Sequence, residues 1–124
     1  MEKDMLSTTN FADKAEKVML EIKDVRRKIT TSQIRNILTM TNNLYDRARM
    51  GTEQLSDDEL SDLQYYKMRV VYEAGRDNLV KDFVDKANLL EHIKQINRDR
   101  EKLLVYCKYF ESLVAYHKYY GGRD

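Results

Sequence analysis

The chain has 124 residues, 35% of them charged, with 22 lysines and arginines against 21 aspartates and glutamates. This length suits one domain, residues 1–124, with its own hydrophobic core, and the net charge of +1 argues against a strongly basic protein that binds nucleic acid alone. One cysteine, no proline and no long apolar segment argue against a disulfide scaffold, a membrane protein and a signal peptide, so we expect a soluble, cytoplasmic protein.

The first helix is predicted from about Phe11 to Val25, after a polar, loose N-terminal segment of residues 1–10. Asn10 is a candidate N-cap, and apolar residues recur after it at helical spacing. The basic cluster of residues 26–28, Arg-Arg-Lys, closes this helix. Two roles stay open for the cluster: stabilising the negative end of the helix or binding nucleic-acid phosphates.

The second helix has the clearest boundaries in the sequence. Thr30 and Gln33 have the spacing of a capping box, in which each side chain bonds the other's backbone N–H. Ile29 and Ile34 flank the cap as a hydrophobic staple, and Gly51 stands where a left-handed residue would end the helix. The pattern predicts a helix of about five turns.

Charge is segregated around this helix. Residues 26–50 contain six basic residues and one acidic residue, a net charge of +5, and residues 51–62 contain five acidic residues and no base, a net charge of −5. Arg35, Asn42 and Arg49 recur at steps of seven, so they share one polar side of the second helix and span roughly 21 Å. These three residues (Arg35, Asn42, Arg49) form a first polar stripe that core packing does not require.

The third helix is predicted from about Asp57 to Ala74, with a second capping box at Ser56 and Glu59 and Gly75 as its C-cap. Acidic residues in its first turn suit the positive end of the helix dipole. Its predicted buried residues are Leu60, Leu63, Val70, Val71 and Ala74.

A second stripe (Tyr65, Arg69, Tyr72, Arg76) alternates aromatic and cationic residues along the third helix. Arginine pairs with phosphates and tyrosine stacks on unpaired bases, so this pattern favours RNA contact, and we add Lys67 on the same helix. The alternative is that the tyrosines pack partly into the core and the arginines are simply solvated.

Two further helices complete the prediction. One runs over about residues 78–96, with a bend at Asn88 and with Leu90 among its predicted buried residues, and the other runs over about residues 98–119 as the central core helix. His117 lies on the apolar side of the last helix, which predicts a core histidine. The sequence therefore predicts an all-α bundle of about five helices without a sheet. A cluster of tyrosines near the C-terminus favours protein contacts and suggests a subunit interface; its members are Tyr109, Tyr116, Tyr119 and Tyr120.

Catalytic and cofactor motifs are absent from the sequence. No phosphate-binding glycine loop, dinucleotide fingerprint or zinc-protease motif occurs, and one cysteine with two histidines cannot form a usual zinc site. Cys107 is expected to be a buried apolar residue, and Glu73 and Glu111 to be surface charges. We predict a protein that is not an enzyme, with no catalytic residue, no metal, no cofactor and no small-molecule substrate.

Three alternative functions make different demands on this sequence. A helix-turn-helix DNA reader would place an acidic helix start against DNA phosphates, which repel it. A helical adaptor would bind only proteins through its aromatic and charged faces. An enzyme of unrecognised type would need a pocket at His92 or His117.

Four segments together resemble one family. They read Thr-Thr-Ser-Gln-Ile-Arg at residues 30–35, Tyr-Glu-Ala-Gly-Arg at 72–76, Phe-Val-Asp-Lys-Ala at 83–87 and Val-Ala-Tyr-His-Lys-Tyr-Tyr-Gly-Gly at 114–122. In order and spacing, from about Phe11 to the C-terminus, the chain resembles the small subunit of the type III-A CRISPR effector, the Csm complex.

This resemblance implies a helical bundle present in several copies, stacked as an inner filament against the backbone subunits that carry the guide RNA. It implies partners that include guide RNA, target RNA, other Csm subunits and neighbouring copies of the chain, with RNA and DNA cutting done by other subunits. Arg35 and Arg76 occupy matching motif positions. With the residues of the two stripes, the predicted RNA-binding set is Arg35, Arg49, Lys67, Arg69 and Arg76.

Overall fold

The structure, a computed structural model, describes residues 5–123. Within this range the chain forms seven α-helices and no β-sheet, and Thr30–Arg123 and Gln54–Asp99 form isolated bridges. The all-α prediction is confirmed, and the expected number of about five helices is too low. The helices are α1 (Phe11–Glu21), α2 (Lys23–Lys28), α3 (Thr31–Ala48), α4 (Asp57–Arg76), α5 (Asn78–Lys86), α6 (Leu89–Ile96) and α7 (Arg100–Tyr119).

The two extra helices arise from breaks inside predicted helices. The predicted first helix is interrupted at Ile22, whose φ of −101° and ψ of 49° lie outside the helical region, and whose side chain is buried. The predicted fourth helix is divided at Asn88, which has a φ of 60°; asparagine is one of the few residues that tolerate this left-handed conformation. The expected bend at Asn88 is therefore confirmed as a break, whereas the break at Ile22 was not predicted.

Both predicted capping boxes are confirmed. The Thr30 hydroxyl accepts from the Gln33 N–H at 3.2 Å, and the Thr30 N–H donates to the Gln33 side chain at 2.8 Å. The Ser56 hydroxyl accepts from the Glu59 N–H at 3.2 Å, and the Ser56 N–H donates to the Glu59 carboxylate at 2.9 Å. These four bonds fix the starts of α3 and α4.

Of the two other predicted caps, Asn10 is confirmed in position only and Gly75 is wrong. Asn10 occupies the N-cap position of α1 but makes no capping hydrogen bond, because its side-chain oxygen accepts from the Ser7 N–H at 2.8 Å instead. Gly75 does not end α4, which continues to Arg76. The chain passes directly from α4 into α5, where Asp77 is the N-cap residue. Of the segment predicted to be loose, residues 1–4 lie outside the described residues.

The central position predicted for the last helix is confirmed. α7 packs against α1, α3 and α6, and its buried residues lie on several sides of the helix, including Val105 and Tyr109 as well as Leu103 and Phe110. One ring of this helix, Phe110, meets Phe83 of α5 edge to face, with ring centroids 6.1 Å apart. Such pairs add to the burial energy of the core.

Two residues predicted to be buried are exposed instead. Val71 of α4 is 48% exposed and Leu90 of α6 is 36% exposed. Val71 lies about 100° around the helix from its buried neighbour Val70, which carries it past the edge of the buried side. Tyr66 is almost completely buried in its place.

A chain of hydroxyl groups crosses the core between α3, α4 and α7. The Tyr106 and Tyr66 hydroxyls are 2.8 Å apart, and the Tyr66 and Thr41 hydroxyls are 2.7 Å apart. The Thr41 hydroxyl donates to the Ile37 carbonyl at 2.7 Å. Burial raises the pKa of both tyrosines above the usual range, so all of these groups are neutral in the folded protein.

A partly buried ion pair holds the connection between α3 and α4. The Arg100 guanidinium donates two hydrogen bonds to the Glu59 carboxylate, at 2.6 and 2.7 Å, and others to the carbonyl oxygens of Ala48 and Thr52. Gly51 lies directly against this guanidinium with a φ of +138°, and a Cβ there would come within 2.6 Å of it. The connection therefore requires glycine on two grounds, conformation and space.

Candidate nucleic-acid interface

The second stripe (Tyr65, Arg69, Tyr72, Arg76) lies on α4, and we call it the α4 stripe. It is a surface feature and does not pack into the core. Tyr65 and Tyr72 are each 57% exposed. The guanidinium carbons of Arg69 and Arg76 lie 5.5 and 5.9 Å from the centre of the Tyr72 ring, within the range of cation–π attraction. The structure thus brings two cations and an exposed aromatic ring together at the end of α4.

A buried carboxylate lies beneath these cations. Glu73 is only 4% exposed, so the expectation that it is a surface charge is wrong. Its carboxylate oxygens lie 3.5 Å from Arg69 and 3.9 Å from Arg76, longer than good hydrogen bonds. This carboxylate holds both arginines near Tyr72 and cancels one of their two charges.

Arg69 is the more restrained of the two arginines. Hydrogen bonding to Tyr65, followed by the charge of Glu73, raises the pKa of Arg69 above its usual value. The Nε atom of Arg69 nevertheless has no hydrogen-bond partner. This Nε atom is itself buried, so it is not accessible to a phosphate or carboxylate from another molecule.

The first stripe (Arg35, Asn42, Arg49) runs along α3 to its C-cap residue Arg49 and lies on another side of the protein, and we call it the α3 stripe. Its three residues are exposed, and Asn42 borders the groove between α3 and α7 together with Lys108 and Glu111. Because Arg35 and Arg49 are seven residues from Asn42, they share its side of the helix within about 20°. The structure therefore does not bring the α3 stripe together with the α4 stripe.

The groove between α3 and α4 contains a cation that the sequence analysis missed. Arg47, Asn43, Asp62 and Tyr65 line this groove, and Arg47 lies 3.8 Å from Asp62 in an exposed ion pair. The spacing of four between residues 43 and 47 was a usable signal, because it places both on one side of α3.

Lys67 stands apart from the other predicted residues of α4. It is exposed, but it lies two residues from Arg69, which is about 200° around the helix. The α4 candidates thus divide into the pair Arg69 and Arg76 on one side and Lys67 on the other.

One residue of the basic cluster at residues 26–28, Arg26, stabilises the fold. Arg26 donates to the Met19 carbonyl oxygen in the last turn of α1 at 2.7 Å, and its guanidinium lies 5.4 Å from the centre of the Tyr120 ring. This confirms the helix-end role for Arg26. Arg27 and Lys28 are exposed.

The four tyrosines near the C-terminus divide into one buried residue and three residues that contact one another. Tyr109 is buried and donates to the Ala87 carbonyl oxygen at 2.8 Å, so it does not belong to the predicted exposed cluster. Tyr116, Tyr119 and Tyr120 contact one another with ring centroids 5.0 to 6.4 Å apart. Tyr119 is 76% exposed, so the predicted subunit interface at these residues stays a prediction.

Comparison with known proteins identifies the family. The sequence matches the Csm2 type III-A family over residues 6–123, a range that contains all seven helices. The chain belongs to the Csm2 family. The resemblance to the small subunit of the type III-A complex is thereby confirmed.

Csm2 relatives match over most of their own length. The CRISPR system Cms protein Csm2 of Streptococcus thermophilus is 44% identical over 123 residues, 97% of this chain and 98% of that protein. The proteins of the same name from Mycobacterium tuberculosis strain H37Rv and Enterococcus italicus are 39% and 34% identical, over 78% and 93% of this chain and 79% and 90% of their own lengths. Both stripes lie inside the Csm2 match.

The reactive side chains of this Csm2-family chain are enclosed by its core. The His117 Nε2–H donates to the Ile29 carbonyl oxygen at 2.9 Å, and Gly122 lies against the imidazole. Burial raises the pKa of the Cys107 thiol to about 12, so it is protonated at neutral pH and a poor nucleophile. His92 is buried beside a cavity of about 10 Å³, which is too small for a substrate.

Metal and membrane sites are likewise not found in the described part of this Csm2-family chain. Among residues 5–123 no three His, Cys, Asp or Glu side chains are grouped so that they could hold a metal ion. None of the helices in this range is long and apolar enough to cross a bilayer.

Proposed function

We propose that this chain is a non-catalytic small subunit of a type III-A CRISPR ribonucleoprotein. In this proposal several copies stack along the duplex of guide and target RNA and hold its backbone through basic helix faces, in support of antiviral defence. The observation that carries the proposal is the α4 stripe, where Arg69 and Arg76 lie beside the exposed Tyr72 ring. Guanidinium groups suit phosphates, and an aromatic ring suits the sugar or an unpaired base.

The α3 stripe supplies a second contact surface in the proposal. Arg35 and Arg49 are exposed and lie about 21 Å apart along the helix, a separation that reaches several phosphates. Neither stripe contains a set of side chains aimed at base edges, so the contacts we propose are to the backbone and are independent of sequence.

Repetition of the subunit compensates for its weak charge. The chain carries a net charge of only +1, and Glu73 cancels part of the charge of the α4 stripe. When several copies are held in one assembly, each further contact is intramolecular, and weak sites combine into tight binding. We therefore propose RNA binding by the assembled complex and weak binding by the free subunit.

Charge removal in the assembled complex tests this function. We expect Arg69→Ala with Arg76→Ala, and separately Arg35→Ala with Arg49→Ala, to weaken target-RNA binding by roughly tenfold or more and to flatten its salt dependence, because each lost phosphate contact lowers the salt slope. Binding is measured by fluorescence anisotropy at low and high salt, on complexes reconstituted with each variant.

A matched control removes the same charge elsewhere. Lys17→Ala with Lys94→Ala deletes two exposed lysines of α1 and α6, and we expect unchanged RNA binding. If both stripe variants keep native RNA affinity at every salt concentration, the RNA role is wrong. In that case the alternative, a helical adaptor that binds only proteins, is favoured by the exposed tyrosines near the C-terminus.

A further inference from the structure

The groove between α3 and α4 is a cavity with an apolar floor and a polar rim. Its volume of about 410 Å³ lies within the range of small-ligand pockets, about 300–1,000 Å³. Leu44 and Tyr66 line the groove and are almost completely buried, so they form its floor. Such a floor suits the face of a flat ring, whose polar edges then lie against the rim.

Tyr65 provides an exposed aromatic ring at the rim of this groove. A tyrosine ring stacks on any nucleobase, because every base has a π-face. Stacking therefore supplies binding energy without selecting one base. The polar groups of the rim determine which base fits.

The rim presents hydrogen-bond donors and acceptors side by side. The Arg47 Nη1 atom and the Asp62 Oδ2 atom lie 3.8 Å apart, which is too long for a good hydrogen bond. Their side chains are 61% and 42% exposed, and an exposed ion pair of this kind contributes little stability. Separating the two groups slightly costs little, so the edge of one ligand can contact both.

Guanine has an edge with the same order of groups. Its N7 and O6 atoms accept hydrogen bonds, and the neighbouring N1–H and N2–H groups donate them. A planar guanidinium donates two parallel bonds and a carboxylate accepts two, so Arg47 and Asp62 together match the whole edge. Cytosine matches three of these bonds, and adenine and uracil match two each.

The remaining rim residues connect the groove to the α4 stripe. Asn43 and Ser61 are exposed, and their side chains suit ribose hydroxyls. Tyr65 belongs to both surfaces, because it lines the groove and hydrogen bonds with Arg69. Arg69 is one helical turn from Tyr65, so a strand whose phosphates lie on the α4 stripe reaches the groove.

We propose that this groove binds an unpaired guanine of RNA. The base stacks on Tyr65, Arg47 donates to its N7 and O6 atoms, and Asp62 accepts from its N1–H and N2–H groups. The base must be unpaired, because in a duplex the N1–H and N2–H groups are already bonded to cytosine. The inference rests on the proposed function for the RNA strand on the α4 stripe, and it adds recognition of a base, which neither stripe provides.

The groove between α3 and α7 is a useful comparison. It has a similar volume of about 380 Å³, and it also contains a tyrosine and carboxylates, Tyr45, Asp46 and Glu111. Its cation is Lys108, a point charge that cannot donate two parallel bonds to one base edge. We therefore expect no preference for guanine at this second groove.

NMR titration of the free full-length chain with guanosine and uridine 5′-monophosphates tests the groove without RNA. We expect the guanosine nucleotide to bind at least about fivefold more tightly, the lower end of the discrimination by one bidentate contact, and to shift the side-chain amide signal of Asn43. Asp62→Asn should abolish this preference, because an amide has one acceptor oxygen in place of two. The readout is the ratio of the two affinities, since loss of a negative charge strengthens binding of both anions alike.

Asp46→Asn is the matched control. It removes one exposed carboxylate of α3 from the comparison groove, and the guanine preference should stay as in the native chain. Circular dichroism verifies that each variant is folded. Equal binding of the two nucleotides by the native chain, or a preference that survives Asp62→Asn, overturns the proposal.

Two further variants separate hydrogen bonding from stacking. Arg47→Lys keeps the charge and loses the planar donor pair, so the guanine preference should fall. Tyr65→Leu removes the stacking ring, and both nucleotides should bind roughly fivefold more weakly with their ratio unchanged. A guanine preference unaffected by Arg47→Lys would contradict the proposed contacts.

Short RNA distinguishes an RNA strand from a free nucleotide as the ligand. A uridine hexamer with one central guanosine should bind more tightly than the mononucleotide, because its phosphates contact the α4 stripe. Inosine in place of that guanosine lacks the N2 amino group and should weaken binding about threefold. Arg76→Ala should reduce the advantage of the hexamer and leave mononucleotide binding unchanged.

The outcomes separate this inference from the proposed function. A hexamer that binds no better than the mononucleotide overturns RNA as the source of the guanine. Failure of the proposed function has a different signature: the assembled complex keeps native RNA affinity when the α4 stripe is neutralised, while the free chain still prefers guanine and the guanine site is supported.

Discussion

Two clusters in this protein pair glutamate with arginine, and they differ in how many of the guanidinium N–H groups form hydrogen bonds within the chain. In the first, Arg100 directs all five guanidinium N–H groups to its own chain, two of them to Glu59. In the second, Arg69 and Arg76 flank Glu73 at 3.5 and 3.9 Å. There the acid is buried and the bases reach the surface.

The difference separates a structural ion pair from an exposed cluster, which is the surface that we propose for RNA binding. A guanidinium whose five donors are occupied by carbonyls and a carboxylate has no donor left for another molecule. The guanidinium groups of Arg69 and Arg76 lie beside an exposed ring at 3.5 and 3.9 Å from the Glu73 carboxylate, which is too far for good hydrogen bonds. How tightly the carboxylate holds the guanidinium, more than the presence of an ion pair, thus distinguishes a structural arginine from the two that we propose for RNA binding.

Removal of Arg100 should have the largest effect on stability. We expect Arg100→Ala to lower the melting temperature by roughly 10 °C or more, because loss of one partner leaves Glu59 and several carbonyl oxygens without their hydrogen bonds. Arg76→Ala is the matched control from the cluster around Glu73. We expect it to change the melting temperature by about 2 °C or less, as for exposed ion pairs. Similar losses in the two variants would contradict the distinction between the clusters.

Acid should weaken the ion pair of Glu59 and Arg100. The hydrogen bond from Arg100, followed by that from the Ser56 backbone, lowers the pKa of Glu59 from 4.5 to about 2. A carboxylate with a lowered folded-state pKa stabilises the fold above its unfolded-state pKa, and this stabilisation is lost as the pH falls from about 4.5 towards 2.

Urea unfolding between pH 7 and pH 2 measures this dependence. We expect Glu59→Gln to have lower stability at pH 7 and a smaller loss towards pH 2 than the native chain. Some dependence will remain in the variant, because hydrogen bonding from Gln33 also lowers the pKa of Asp77. If both proteins lose the same free energy of unfolding between pH 7 and pH 2, Glu59 does not contribute to the pH dependence.

Glu73→Gln should have the smallest effect of these variants, and it should strengthen RNA binding where the arginine variants weaken it. Replacing the carboxylate by an amide removes the charge that partly cancels Arg69 and Arg76, so we expect target-RNA binding by the assembled complex to tighten about threefold and its salt dependence to steepen. Glu111→Gln, which removes an exposed negative charge of α7, serves as the control. Weaker RNA binding by Glu73→Gln would show that orienting the arginines matters more than their charge.

The sequence predicted those features that depend on neighbouring residues. The capping boxes at Thr30 and Ser56 were predictable, because a residue and its partner three positions later determine the cap. The central position of α7 was predictable from the regular spacing of its apolar residues. The exposed α4 stripe was one of two open alternatives, and the structure favours exposure.

The features that were not predicted depend on contacts between distant parts of the chain. The ion pair of Glu59 and Arg100 joins residues 41 positions apart, and no local pattern marks it. Glu73 looks like an ordinary helical surface charge until α5 packs against α4. Gly75 fits a helix end by composition, but the Asp77 cap that follows it allows α4 to continue for one more residue.

The chain of hydroxyls between α7, α4 and α3 has a direction. Thr41 has one proton and gives it to the Ile37 carbonyl oxygen, so Tyr66 must donate to Thr41, and Tyr106 must in turn donate to Tyr66. All three protons therefore point from α7 towards α3. Sliding any one of these helices by a turn would leave a hydroxyl without its acceptor inside an apolar layer. The three hydrogen bonds therefore fix the positions of α3, α4 and α7 along their axes relative to one another.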